Sequence, residues 1–185
     1  MKIIIAIGLT VMLAACSGSA PRLQMFQIKS KLTLPTAVGS AIVRKVSLPT
    51  YAASEELSIE TTQGLIVSNK NILWADDPAR AVTLALARNL GEIVDAKIVP
   101  HPWPFVDLPD VAIDIRVTRM IAAADGIFYL EGQYFVGGDG IAYKKSTNRF
   151  AVQAQIQRSE PAGISDAQAR ALLTLAELIA HKIAQ

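Results

Sequence analysis

One cysteine is the residue best suited to covalent chemistry in this chain. Cys16 follows Ala14 and Ala15, and an apolar run that begins after Lys2 precedes them. The alanine side chains are small enough to let a peptidase approach the backbone, and a thiol can accept a diacylglyceryl group as a thioether. A single positive charge, an apolar run and small residues at its end are typical of a secretory signal peptide, and the run is too short to span a bilayer comfortably.

Residues 13–16, Leu-Ala-Ala-Cys, resemble the processing site of bacterial lipoproteins. The resemblance implies cleavage between Ala15 and Cys16, and a lipid on the new amino-terminal Cys16. Acyl chains bind membranes by about 0.8 kcal/mol per buried methylene and one chain holds only marginally, so the triacylated cysteine that is implied would anchor firmly. Ser17, in place of the aspartate that retains lipoproteins in the inner membrane, implies the outer membrane. The alternatives are a signal peptide with an incidental cysteine and a buried apolar cysteine.

The expected division of the chain is a signal peptide over 1–15, a lipidated tether over 16–22 and one domain over 23–185. Hydrophobic residues make up 51% of the 185 residues and charged residues 18%. This apolar composition suggests surface that faces a membrane, a partner or other copies of the chain. The net charge of +2 and the lack of a Lys/Arg run argue against a nucleic-acid partner. Because Cys16 is the only cysteine, the exported domain would have no disulfide.

The titratable residues form no recognisable catalytic pattern. His101 and His181 have no metal-ligand spacing, and the sequence contains neither a Gly-x-Ser-x-Gly turn nor a phosphate-binding glycine loop. Asp76 and Asp77 could form a carboxylate pair, but capping the helix that opens at Pro78 explains one of them without catalysis. We interpret residues 137–140 as a hairpin turn rather than a calcium site. The sequence therefore predicts no catalytic residue, no metal and no cofactor.

Two stretches carry large aromatic side chains outside the predicted regular structure. Pro102, Trp103, Pro104 and Phe105 lie in a segment with three prolines in five residues, which excludes a helix and an interior strand. Trp74 directly precedes a predicted helix. Such side chains are costly to leave in water, so they either form a satellite core over the sheet edge or a binding surface for a partner protein or acyl chains. Both interpretations stay open at this point.

Hydrophobic periodicity predicts the strands that would position these segments. In the first half of the chain, short strands are expected at 23–28, 41–48, 57–61, 65–67 and 97–99. A hairpin is expected around Gln63-Gly64, and Asn69 and Asn71 are expected to break the chain. Strict alternation predicts three further strands over 111–117, 128–136 and 150–156, which short turns would join into an antiparallel meander.

Two helices complete the prediction. Asp77-Pro78 caps and opens the first, whose apolar residues recur at helical spacing. Ser165 and Gln168 form a capping box that would start the second. The predicted fold class is therefore α/β: a mixed, largely antiparallel sheet with a C-terminal three-stranded meander, flanked by two helices.

The order and spacing of several short motifs resemble the ABC-type transport auxiliary lipoproteins, the PqiC-like lipoproteins of the MCE and paraquat-inducible lipid transport systems. The resembling motifs run through most of the mature chain: Val46-Ser47-Leu48-Pro49-Thr50-Tyr51, Trp74-Ala75-Asp76-Asp77-Pro78, Ala85-Leu86-Ala87-Arg88-Asn89-Leu90, Pro100-His101-Pro102-Trp103-Pro104, Asp114-Ile115-Arg116-Val117 and Gly132-Gln133-Tyr134-Phe135.

This resemblance implies a non-catalytic subunit on the periplasmic face of the Gram-negative outer membrane. It would work beside an MCE-domain protein and an ABC or related permease complex, dock the MCE conduit, and help to move lipids between the two membranes. Self-association into a ring is also implied. Two alternatives are a structural envelope lipoprotein that assists assembly of another outer-membrane component, and a periplasmic hydrolase with unfamiliar residues.

Overall fold

A mixed sheet with helices packed against it forms the fold in the computed structural model, which describes residues 20–138, 145–158 and 161–184. Ala15 and Cys16, and residues 139 and 140 of the predicted turn, lie outside the described residues. In chain order, the elements are β1 (Arg22–Leu23), β2 (Ser40–Val43), α1 (Thr50–Ala53), β3 (Glu56–Glu60), β4 (Ile66–Trp74), α2 (Pro78–Ile93), β5 (Lys97–Pro100), β6 (Val111–Ala123), β7 (Ile127–Gly137), β8 (Ser146–Gln155) and α3 (Pro161–Ile183).

The antiparallel meander β6–β7–β8 forms as predicted, and its three strands are the longest strands of the sheet. β7 pairs antiparallel with β8 from Ile127↔Gln155 to Val136↔Ser146 without a register shift. β6 pairs antiparallel with β7, with one irregularity after Val117. Gly126 closes the first turn at a φ of 80°, a left-handed conformation that favours glycine.

On its other side, β6 pairs with two strands in succession. β2 runs parallel to its first residues (Ala41↔Val111), and β3 runs parallel to its last (Ile59↔Ala122). β5 lies outside β2 in parallel, β4 lies outside β3 in the predicted antiparallel hairpin, and β1 lies outside β4. Most paired residues are antiparallel, and these parallel additions make the sheet mixed. The predicted fold class is confirmed.

Helices α2 and α3 contact each other and cover one face of the sheet. α2 begins as predicted, since the Asp77 carboxylate accepts a hydrogen bond from the Arg80 amide at 2.7 Å and Pro78 follows the cap. Its predicted apolar stripe is fully buried together with the inward side chains of the meander and α3. The largest of these buried side chains are Leu86, Leu90, Ile93, Ile113, Ile115, Leu130, Leu172, Leu175, Ile179 and Ile183.

The predicted chain break at Asn69 and Asn71 is wrong, since β4 runs through both residues to Trp74. Asn69 pairs with Leu57 across the hairpin, and its exposed side chain accepts a hydrogen bond from the Asn71 amide at 2.9 Å. Polar side chains are tolerated because this part of the strand faces solvent, and the register shift beside Leu57 absorbs the irregularity.

Two other predicted strands are shorter in the structure. The strand expected over 41–48 spans only Ser40–Val43, and Ser47 makes an isolated bridge to Arg116. The strand expected over 23–28 is reduced to β1. The residues after it, 24–36, form an extended strap along the helices, where Ser30 donates to Glu177 at 2.8 Å and the Leu34 amide donates to the Ile93 carbonyl at 2.7 Å.

The predicted capping box at the start of the last helix is also wrong. α3 begins at Pro161, so Ser165 lies inside the helix and is fully buried. Its hydroxyl donates to the Gln24 carbonyl at 2.9 Å and accepts from the Phe26 amide at 3.0 Å. Ser165 therefore binds the strap to α3 rather than capping it. Within the described part of the chain, no helix is both long and apolar enough to cross a membrane.

Candidate functional site

The segment 101–110, called here the aromatic loop, joins β5 to β6 and is held at both ends. At its start, the His101 amide donates to the Val43 carbonyl at 2.8 Å, and the peptide bond before Pro102 is cis. At its end, the Asp110 carboxylate accepts from the amides of Gly39 and Ser40 at 3.0 and 2.8 Å. The loop is therefore hydrogen-bonded to both ends of β2.

Contacts between aromatic and polar groups shape the interior of the loop. The Trp103 indole donates to the Asp107 carbonyl at 2.6 Å, and its ring meets Phe105 edge-on at a centroid separation of 5.1 Å. The Lys97 ammonium lies 4.7 Å from the Phe105 centroid. Trp103 is half-buried and supports the loop from within, and both interpretations of its role stay open.

The tip of the loop exposes apolar side chains to solvent. Val106 is fully exposed, Leu108 is 73% exposed and Phe105 is about half exposed. Pro102 and Pro104 are also exposed. Sequence analysis missed Val106 and Leu108. The available signal was two aliphatic residues between Pro104 and Pro109, in a stretch that cannot form a strand and so cannot bury them in a sheet.

A groove of about 830 Å³ lies between the aromatic loop and the face of the sheet that the helices leave open. Trp103, Leu108 and Phe135 contribute its large apolar side chains. Three exposed cations also line this loop groove: Arg44, Lys45 and Lys145.

The electrostatic balance of the loop groove is positive. Among the described residues that line it, the one carboxylate is Asp114, which already pairs with Arg116 at 3.0 Å. Lys45 reaches only 4.0 Å from the exposed Asp77 carboxylate, where an ion pair in water is weak. An apolar groove with cations at its rim suits a partner that is apolar at the centre of its contact surface and acidic around it.

Trp74 does not line the loop groove. It is only 8% exposed, belongs to the main core, and contributes to the wall of a second groove beside α2. The two aromatic stretches of the sequence therefore lie in different places, and Trp74 is positioned chiefly by packing.

The titratable residues considered as catalytic candidates lie apart from one another. His101 lines the loop groove, while His181 lies in the last turn of α3. Asp77 caps α2, and Asp76 pairs with Arg80. Among the described residues, no three His, Cys, Asp or Glu side chains are grouped so that they could hold a metal ion.

Comparisons with known proteins bear on the family and on the fold. Residues 27–180 match the family model described as an ABC-type transport auxiliary lipoprotein component. A crystal structure of an uncharacterised protein is 18% identical with a TM-score of 0.71, covering 88% of this chain and 99% of that one. A crystal structure of a Xanthomonas campestris protein, assigned to the DUF330 family model, is 15% identical with a TM-score of 0.69, covering 88% and 95%. At these identities the structures establish a shared fold. No curated protein matches the chain.

Proposed function

The chain belongs to the family of ABC-type transport auxiliary lipoprotein components, and from that membership we propose that it is the non-catalytic, outer-membrane-anchored lipoprotein of an MCE-type lipid transport system. In this role it docks the periplasmic conduit formed by an MCE-domain protein, whose partner is an inner-membrane ABC or permease complex. The anchor is a lipid on Cys16, and the chain joins the membrane on its periplasmic face.

The exposed tip of the aromatic loop is the observation that carries the docking proposal. An aliphatic tip held rigid by an internal aromatic pair loses little conformational entropy when a partner covers it. A few residues buried at the centre of an interface carry most of its affinity. The cations of the loop groove add selectivity for an acidic rim on the partner.

Crosslinking in cells tests the docking proposal directly. A photoreactive residue placed at Val106 of the full-length chain should crosslink to an MCE-domain protein, identified by mass spectrometry. The matched control is Gln153, an exposed residue of β8, where no such product is expected. A product at Val106 that contains another outer-membrane component, and no MCE-domain protein, would instead support the alternative role in envelope assembly.

Two substitutions separate docking from folding. Val106→Asp changes a fully exposed side chain, so it should leave the melting temperature unchanged while weakening capture of the MCE-domain protein. Trp103→Ala removes the internal support of the loop and should reduce capture as well, with a smaller effect on stability than on binding. A large loss of melting temperature for Trp103→Ala with normal capture would show that the loop serves only the fold.

The anchor and the assembly state have their own tests. Intact-mass analysis should show a processed chain that begins at a lipid-modified Cys16. Cys16→Ala should leave a protein that is either soluble or uncleaved, and that fails to function in the cell. The ring of copies that the family resemblance implies should appear as a discrete oligomer of the detergent-solubilised protein.

A further inference from the structure

A second groove, of about 490 Å³, lies between the strap and helix α2 and is called here the strap groove. Leu23, Met25 and Phe26 from the strap side face Leu84 and Arg88 from α2. Phe26 is 47% exposed and Leu84 is 37% exposed, although the hydroxyl of Ser165 fixes the Phe26 amide in place. The exposed ring is therefore held at the groove by the fold.

The charges around the strap groove are mainly positive. Arg88, in the groove lining, has no ion-pair partner among the described residues. Lys29 and Lys31 are exposed further along the strap, where Ser30 between them donates to the Glu177 carboxylate. No aspartate or glutamate precedes Glu55 in the whole chain. The one carboxylate that lines the groove, Asp76, is occupied by Arg80.

The covalent structure places the strap groove close to the lipid attachment point. Six residues, 16–21, separate β1 from the expected lipid on Cys16, and at most about 3.4 Å per residue gives a reach of about 20 Å. Pro21 is already fixed to the sheet, because its carbonyl accepts from the Leu73 amide at 3.1 Å. Leu23, the first residue of the groove, follows two positions later.

We propose that the strap groove is a second membrane contact, which lies against the lipid surface beside the anchor. This inference rests on the lipid anchor of the proposed function. Phe26 and Leu84 enter the boundary between headgroups and acyl chains, while Arg88 and the two strap lysines meet lipid phosphates. An isologous dimer through this face is a poorer occupant, because it would bring two cationic straps together across the two-fold axis.

The consequence concerns orientation. The strap groove is lined by α2, on the helix-covered side, whereas the loop groove is lined by the open face of the sheet. Contact through the strap groove therefore leaves the aromatic loop uncovered by lipid, so that it can receive a protein partner. A lipid on a single residue near the end of the mature chain would by itself fix no such orientation.

The lone cysteine makes the contact measurable. In the lipidated full-length protein, Cys16 is blocked, so a single introduced cysteine can carry an environment-sensitive fluorophore. Phe26→Cys and Leu84→Cys report the strap groove, Leu108→Cys reports the aromatic loop, and Ile66→Cys reports the β3–β4 hairpin. Ile66 is 46% exposed and so matches Phe26 in exposure.

The protein is reconstituted into vesicles of phosphatidylethanolamine and phosphatidylglycerol that contain an acyl-chain nitroxide quencher. Quenching should be several-fold stronger at positions 26 and 84 than at positions 66 and 108. Replacing phosphatidylglycerol with phosphatidylcholine should reduce the quenching, because the membrane surface loses the net negative charge that attracts the cations. Arg88→Gln should weaken this lipid dependence, whereas Lys145→Gln, at the loop groove, should not.

Three results would overturn the inference. Equal quenching at all four positions means that the domain has no preferred face, and stronger quenching at 66 or 108 means that another face meets the lipid. If the fluorophores at positions 26 and 84 report an apolar environment that depends on protein concentration, and the lipid quencher does not affect them, a second copy of the chain covers the groove. The intact mass of the same sample shows whether Cys16 is acylated. If Cys16 is acylated and positions 26 and 84 are not quenched, the second membrane contact is refuted while the proposed function is not.

Discussion

The two faces of the meander are formed by the same strands but are stabilised by different interactions. On β7, Leu130 and Val136 point under the helices and are buried, while Tyr129 and Gln133 point to the open face and are half-buried. The covered face is stabilised by apolar burial, the dominant favourable term in folding. The comparison teaches that stability is concentrated on one side of the sheet, which leaves the other side available for contacts.

On the open face, charge pairing takes the place of apolar packing. Arg119 pairs with Glu60 at 2.7 Å and Glu131 at 3.3 Å, and its guanidinium lies 4.0 Å from the Tyr129 ring centroid. The hydrogen bond to Glu60 is the main reason that the pKa of Arg119 is raised. This network joins β3 to the meander, but partly exposed ion pairs contribute only modestly to stability.

The largest expected effect tests the contrast within one strand. Leu130→Ala removes a fully buried side chain from the covered face and should lower the free energy of unfolding by about 2–5 kcal/mol. Gln133→Ala, three residues along β7 on the open face, should change it by less than about 0.5 kcal/mol. Urea denaturation measures both variants, and equal losses would contradict the contrast.

A pair of glycine substitutions should act in opposite directions. A methyl group at Gly132, on the covered face, would collide with the Arg116 carbonyl and come within 2.9 Å of the Phe150 ring, so Gly132→Ala should cost about 1–3 kcal/mol. Gly91 is an exposed residue of α2 whose nearest neighbour would be Ile98 at 3.7 Å. Gly91→Ala should therefore stabilise by about 0.5–1 kcal/mol. Thermal unfolding shows whether each substitution raises or lowers the melting temperature. A change in the same direction for both would refute the packing argument.

A smaller effect is expected where the strap meets the covered side. Ser165→Ala removes both hydrogen bonds to the strap and should cost about 1 kcal/mol. Hydrogen exchange at the Phe26 amide should accelerate more than exchange in the sheet. Thr174→Ala is the control, since its hydroxyl bonds only the Arg170 carbonyl of the same helix. Unchanged exchange at Phe26 would mean that Ser165 does not hold the strap.

The smallest expected effect is a pH dependence on the open side. The pKa of Asp125 lies below its ordinary value, first because the Tyr129 hydroxyl donates to it at 2.6 Å and second because the Ile127 amide does. A lowered folded pKa means that this contribution is present above the unfolded pKa and is lost as the pH falls through the folded pKa.

Tyr129→Phe removes the largest cause of the Asp125 shift. The melting temperatures of the variant and the parent should therefore differ slightly near neutral pH and converge in acid. Asp125→Asn in the parent should remove the pH-dependent part of that difference. A difference that persists unchanged into acid would assign the effect to lost packing of the Tyr129 side chain.

Local signals explain what could be predicted from the sequence. The start of α2 was predictable because Asp77, Pro78 and the apolar stripe are adjacent, and the meander was predictable because alternation and short turns are local. The role of Ser165 was not predictable from local sequence, because its hydrogen-bond partners lie about 140 residues earlier in the chain. The parallel pairing of β2 with β6 likewise joins strands separated by five other elements, so no local sequence pattern indicates it.

The candidate site, like the fold, was predictable only where local sequence determines it. The prolines around Trp103 placed the aromatic residues on a loop, because proline excludes the regular alternatives. The exposure of Val106 and the cations of the loop groove were not predictable, since they depend on which face of the sheet the loop crosses. That placement follows from the bonds of Asp110 to Gly39 and Ser40, about 70 residues away.

The brevity of β1 has a mechanical consequence. Only Arg22 and Leu23 pair with β4, and the hydrogen bonds of the Pro21 and Leu23 carbonyls to Leu73 and Ala75 flank them. Tension along β1 from the amino-terminal side loads these few bonds together in shear, and then reaches the link at Ser165. The first 16 or so described residues should therefore detach under force before the meander unfolds, so that tension on the amino-terminal segment is released while the rest of the fold stays intact.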